Sequence, residues 1–290
     1  MFYLPLWLPY YEVSVGPVTL ETKTKLLTIS PATIDRILKP IRSQYAQKGL
    51  SGTRPGALLK TQVPIHDQHW DTAQPGFLSA DSVAHCGDTL TGDFAWSLTF
   101  TDTCSSWTEN RAIWNKNAPA VLEQVKEVEA TLPFPLIGFH VDNGSEFLNY
   151  LLADYFANRP HPVRFTRSKP NRQNDNPYAE QKNWTHVRSL LEYYRIDDPT
   201  QIPRLNALYH LWGLLHNFFL PTAKLVSKVR IKSRIIKKYD TPKTPCQRLL
   251  ESPAIKEQTK NQLKIILSQL NPFVLKQQIQ QKLQVVLAYL

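Results

Sequence analysis

The sequence predicts an α/β domain: a mixed five-stranded sheet flanked by helices, with helical extensions before and after it. Three observations carry that expectation. Between residues 77 and 114 three segments run at strand length, one alternating clearly in polarity, with turn-like connections GDTLTG and DTCSS between them. From residue 118 onward helical periods alternate with short apolar runs of strand length. A meander followed by β/α crossovers gives a mixed sheet with helices laid on it.

The bulk numbers are compatible with such a domain. The chain has 290 residues, of which 42% are hydrophobic and 11% aromatic, enough for a proper core and too many for a disordered tail. A formal net charge of +10 calls for a polyanionic partner, which by charge alone is either nucleic acid or an anionic membrane surface. Three widely spaced cysteines, Cys86, Cys104 and Cys246, form no zinc-ligand pair and imply no disulfide framework. The opening MFYLPLWLPYY is apolar but has two prolines and no basic start, so it reads neither as a signal peptide nor as a membrane span. A reducing, cytoplasmic setting with no membrane partner is expected.

Taken in order, residues 1–45 form a helical segment. Ser30 caps SPATIDRILKPIRSQY, Pro31 suits its first turn, and Ile34, Ile37, Leu38 and Ile41 make a stripe. With TLETKTKLLTI before it, this is either the end of a helix-turn-helix or a plain helical hairpin. Residues 46–70, rich in Gly, Pro and Lys, read as a basic linker. The catalytic-type core spans 71–220. FLSADSVAHC is its first strand, with Ala80, Ser82 and Ala84 on one face and Asp81, Val83 and His85 on the other. DFAWSLTFTD reads as a half-buried strand and WTENRAIW as the third. APAVLEQVKEVEATL is an amphipathic helix and PLIGFHV a strand buried on both faces. LNYLLADYFANR is a helix, VRFTRS a strand, and residues 201–220 another apolar helix. A basic segment, 221–250, is either strand-rich or an exposed helix. The tail, 251–290, reads as two helices split at Asn271 and Pro272.

In NPYAEQKNWTHVRSLLEYY, residues 176–194, Asn176 caps a helix and Pro177 suits its first position. Glu180, Trp184, Val187 and Leu191 then share one helical face, so an acid sits on the stripe expected to meet the core. Two more acids have meaningful places. Asp81 is in the first strand, and Asp142 ends the buried strand that follows the first crossover. Each has a commoner reading: a solvated strand acid, the turn signal of DNG, and a helix-start acid favoured by the macrodipole. If the first and fourth strands are neighbours, however, the aspartates come side by side and the helix lowers Glu180 onto them. Three such carboxylates repel unless a cation neutralises them, and hard oxygen ligands suit Mg²⁺ or Mn²⁺. Glu146 has two readings, a reach into this site or a turn into the next helix. His85 is weighed as a satisfied strand histidine against a site residue. His186 is expected near DNA or solvent, and Asp88, Asp93 and Asp102 are expected to be solvated hairpin-end acids.

Asp81 in SADSVAHCG, Asp142 in HVDNGSEF and Glu180 in NDNPYAEQKN resemble the acidic triad of DDE transposases and retroviral-integrase-like recombinases. The resemblance covers about residues 71 to 250, with LLHNFFLP and TPKTPCQRLLES resembling the end of that catalytic region. The steps of 61 (142 − 81) and 38 (180 − 142) residues fit the family pattern. It implies a ribonuclease-H-like sheet of order 3-2-1-4-5 and two-metal phosphoryl transfer on DNA, with 3′-end cleavage followed by strand transfer. Asp81 would bridge two Mg²⁺ or Mn²⁺ ions about 3.5 to 4 Å apart, with Asp142 and Glu180 each holding one. No zinc is expected, because the paired histidines and cysteines of retroviral integrases have no counterpart. The chain looks as if it begins inside an end-recognition module. The implied partners are double-stranded DNA, as element ends and target, and further copies of the chain on it, in a prokaryotic, nucleoid-associated setting. The rivals are a nuclease that cuts without joining and an inactive DNA-binding remnant.

Phosphate contacts are expected from Arg167, Lys169 and Arg172 in the loop before the third acid and from Lys182 and Arg188 on its helix. Lys224, Lys228, Arg230, Lys232, Arg234, Lys237 and Lys238 extend that basic character over the segment that follows.

Overall fold

The computed structural model describes residues 3–42, 73–142, 144, 146–168, 181–231 and 234–289. The basic linker, Glu180, Lys169, Arg172 and Lys232 lie outside them.

The sheet is the one expected. β1 (Phe77–Ala84), β2 (Ala95–Asp102) and β3 (Thr108–Trp114) form an antiparallel meander. β4 (Gly138–Val141) and β5 (Arg164–Arg167) then add in parallel on the other side of β1, giving the order β3-β2-β1-β4-β5. Six helices precede or punctuate the rest: α1 (Tyr3–Ser14), α2 (Leu20–Thr28), α3 (Pro31–Arg42), α4 (Ala118–Thr131), α5 (Tyr150–Ala157) and α6 (Asn183–Arg188, continuing through Ser189–Leu191). α7 (Gln201–Phe219) follows, then a separate hairpin of β6 (Leu225–Ile231) and β7 (Arg234–Tyr239). α8 (Pro245–Glu251), α9 (Glu257–Gln269) and α10 (Pro272–Leu287) close the chain.

Asn117 and Asn149 start the two crossover helices by accepting hydrogen bonds from Ala120 and Leu152. Val121, Val125 and Val128 of α4 and Leu152 and Phe156 of α5 bury their apolar sides in the core with Phe100, Phe139 and Leu98. Gly76, with φ +123°, lets the chain turn into β1 against the Pro135 carbonyl, where a Cβ would stand 2.6 Å away.

Two strand expectations change. β2 is buried along its whole length, not on one side. Its polar residues face a second helical layer: Ser97 bonds Tyr209 of α7 at 2.5 Å, and Thr99 accepts at 2.9 Å from Asn110 of β3, which pairs with His186 of α6. An alternating strand therefore marks a polar helix–sheet seam here, since hydroxyls paired with each other satisfy burial as water does. Asp102, expected to be solvated, is fully buried: the Gly76 amide, the Ser105 amide and the Ser105 hydroxyl all donate to it. Asp88 and Asp93 are exposed as expected.

α7 also closes the sheet edge. Asn206 accepts from the Ala112 amide at 2.6 Å and donates to its carbonyl, and Asn217 does the same for Thr108. Two side-chain amides thus stand where a sixth strand would pair, protecting an edge that invites association.

The helical start and tail pack together. Trp7 meets Phe273 edge-on and donates its indole hydrogen to the Phe219 carbonyl at 2.9 Å, and Tyr10 meets Phe219. The apolar opening is therefore a helix docked on α7 and α10. Ser30 caps α3 as predicted, accepting from Thr33 at 3.1 Å, although Ile37 on its stripe is exposed. Among the described residues no helix is long and apolar enough to cross a membrane.

Candidate active site

The pairing of β1 with β4 brings the first two acids together. Its last pair is Ala80 with Val141, so Asp81 and Asp142 follow side by side at neighbouring positions. Both side chains are partly exposed. Asp81 accepts from the Ser82 amide at 2.8 Å through Oδ1 and from Asn183 Nδ2 at 2.6 Å through Oδ2. Asp142 accepts from the Gly144 amide at 2.9 Å, the turn expected of DNG. Burial raises the Asp142 pKa, and the neighbouring Glu146 adds to this, while the Gly144 amide and Lys116 oppose it. Among the described residues no three histidine, cysteine or carboxylate groups converge on a metal position; Glu180 is outside that set.

α6 reaches Asp81 through Asn183, three residues beyond Glu180 in sequence. Its first part, Asn183–Arg188, is π-helical, and that changes which side chains face inward. A turn closed by i→i+5 bonds holds more residues than an α-turn, so a stripe counted at 3.6 residues drifts. Trp184, expected on the core face, is 57% exposed. His186, expected near DNA or solvent, is fully buried, with Val187 beside it. The His186 ring hydrogen-bonds Asn110 of β3 at 3.1 Å and packs, tilted by 48°, against His216 of α7, centroid to centroid 4.1 Å. Burial depresses both pKa values, His216 to about 3, with Lys182 adding repulsion.

His85 resolves as the satisfied strand histidine. Its Nε2 pairs with Ser97 at 2.7 Å, and burial together with Arg188 lowers its pKa to about 3. Cys86 is a buried packing residue.

No family model matches the chain. Its sequence is 34% identical over 253 residues to an uncharacterized protein, y4rM, of Sinorhizobium fredii (strain NBRC 101917 / NGR234), a match covering 84% of this chain and 70% of that protein. The chain belongs to the y4rM family. The matched length exceeds the stretch from Phe77 to Phe219, so y4rM shares more than the sheet and its covering helices.

In this y4rM-family chain the basic residues divide into two groups. Arg188 donates to the carbonyls of Ala84 and Glu192 and lies over Tyr193. Lys224 donates to the carbonyls of Thr103 and Cys104, and Arg167 is buried at the end of β5. Lys182 lies beside His186, His216 and Arg248, and burial with the Arg248 charge lowers its pKa to about 8. These four are built into the domain, contrary to the expectation of an open basic face. Lys228, Arg230, Lys237 and Lys238 are exposed on the β6–β7 hairpin, which settles 221–250 as strand-rich, and Arg234 opens β7. Lys228 and Lys237 are directly opposite each other. Like charges in that position repel, and an anion between them removes the cost.

Asn183 was not singled out from the sequence, although its spacing from Glu180 is that of side chains sharing a helix face. Lys116 and Ser82 carried no local signal.

Proposed function

We propose that the chain is a Mg²⁺- or Mn²⁺-dependent DNA recombinase of the DDE transposase and integrase type, built on a ribonuclease-H-like sheet. The observation that carries the reading is the β1–β4 pairing, which leaves Asp81, midway along β1, adjacent to Asp142 where the parallel pairing ends. With Glu180 as the third ligand the donor set is all hard oxygen, which fits a divalent ion that keeps waters and takes phosphate oxygens. The raised Asp142 pKa supports this fit, since a buried carboxylate beside another acid gains most from a cation. When bound, such ions stabilise charge on the phosphoryl oxygens and activate water or a 3′-hydroxyl.

The chain's own residues supply position. Ser82 and Asn183 fix the Asp81 carboxylate from two sides, and Asn183 does so from the helix that follows Glu180. The exposed lysines and arginine of the hairpin hold double-stranded DNA by its phosphates, independent of sequence. The reaction is 3′-end cleavage at an element end followed by joining to target DNA, performed by several copies on the DNA in a bacterial cell.

The test is a cleavage and strand-transfer assay with Mg²⁺ or Mn²⁺, using DNA ends from the element that encodes the chain. Asp81→Asn should abolish both steps. Cleavage without joining of a pre-cut 3′-hydroxyl end would favour a nuclease of the same fold. Activity unchanged in Asp81→Asn would end the catalytic reading.

A further inference from the structure

We infer that Glu146 is a positioning residue for the two aspartates, bracing them from behind the site. This rests on the reading above. Glu146 is 2% exposed, the most deeply buried acid near the site. Its Oε1 accepts from the Ser82 hydroxyl at 2.7 Å. Ser82 follows Asp81 directly, so its side chain points to the other face of β1. Among the described residues Glu146 Oε2 accepts no hydrogen bond, and Lys116 Nζ stands 3.5 Å from it. That ammonium in turn lies 4.1 Å over the Trp96 ring, which limits its movement.

The same carboxylate fills the turn after Asp142. A Cβ at Gly144 would fall 2.7 Å from Glu146 Oε2, so Gly144 is the residue that lets the turn close over the acid. The Gly144 amide is the group that binds Asp142. One buried carboxylate therefore links the backbone next to Asp81, through Ser82, to the turn that orients Asp142. Lys116, 3.5 Å from the carboxylate, holds it in place from the β3 side of the turn. Groups behind a ligand that fix its orientation act in this way, and losing one costs about 10- to 100-fold in metal affinity.

The experiment measures Mn²⁺ alone binding to the full chain by calorimetry, alongside the melting temperature in metal-free buffer. Asp81→Asn is the control for the underlying reading and should remove Mn²⁺ binding. Glu146→Gln should weaken Mn²⁺ binding by about 10-fold or more. Ser82→Ala, a change of one oxygen, should weaken it in the same direction while leaving the metal-free melting temperature close to wild type. If Ser82→Ala and Glu146→Gln both bind Mn²⁺ as tightly as wild type, or lose only thermal stability, the bracing role is wrong. If Asp81→Asn also binds as wild type does, the recombinase reading fails with it.

Discussion

Lowering the pH from 7 to 5 should destabilise this protein through imidazoles it buries in the neutral form, His85 and His216 together with His186. His85 lies between β1 and α7, and His216 lies under α6; burial holds both pKa values at about 3, against an ordinary value of 6.5. The unfolded chain therefore binds protons in this range that the folded chain does not. The stabilisation is full above pH 6.5 and is lost as the pH falls from 6.5 toward 3. Down to pH 5 the loss covers about 1.5 pH units, or ~2 kcal/mol for each histidine and ~4 kcal/mol for the two. Groups facing His216 are His186, Lys182 and Trp212, and they offer no carboxylate to offset the charge. Urea unfolding at pH 7 and pH 5 measures the difference, and His216→Asn should reduce the pH-dependent part by ~2 kcal/mol. If His216→Asn loses as much between the two pH values as wild type, His216 does not titrate from a buried neutral state.

Two further outcomes follow from geometry. Gly138→Ala should cost about 1 to 3 kcal/mol by thermal or urea unfolding, because its Cβ would stand 2.3 Å from the Phe77 ring that covers β4. Lys228→Gln with Lys237→Gln should leave folding stability level or slightly higher, since it removes a facing like-charge pair, yet weaken DNA binding and flatten its salt dependence by a slope of about 2.

The mixed sheet was legible from the meander of three strands and the helices between the last three, and its order from the resemblance of the acidic motifs to a known family. Asp81 and Asp142 could be paired on paper given that order: parallel neighbours with fixed ends put equivalent positions together. The helix after Glu180 was legible as a helix, and Val187 and Leu191 face inward as its stripe required, but its first turn was not legible in its facing. A π-helical turn between Asn183 and Arg188 sent Trp184 outward and His186 inward, and nothing in the local residue pattern announces a wider turn. The opening segment was legible as helical but its docking was not, since Trp7 and Tyr10 found partners more than 200 residues away. The charge of the basic residues was plain, but which of them the fold leaves exposed was not.

What the sequence by itself determined was therefore the periodic part, strand and helix identity, which follows from spacing along the chain; the sheet order came from the family resemblance, and the adjacency of the two carboxylates depended on that order. Tertiary structure alone decided which polar groups are consumed internally. Arg188, Lys224 and Asp102 are bound to backbone and neighbours because buried polar groups must find partners, and those partners are set by contacts between segments remote in sequence.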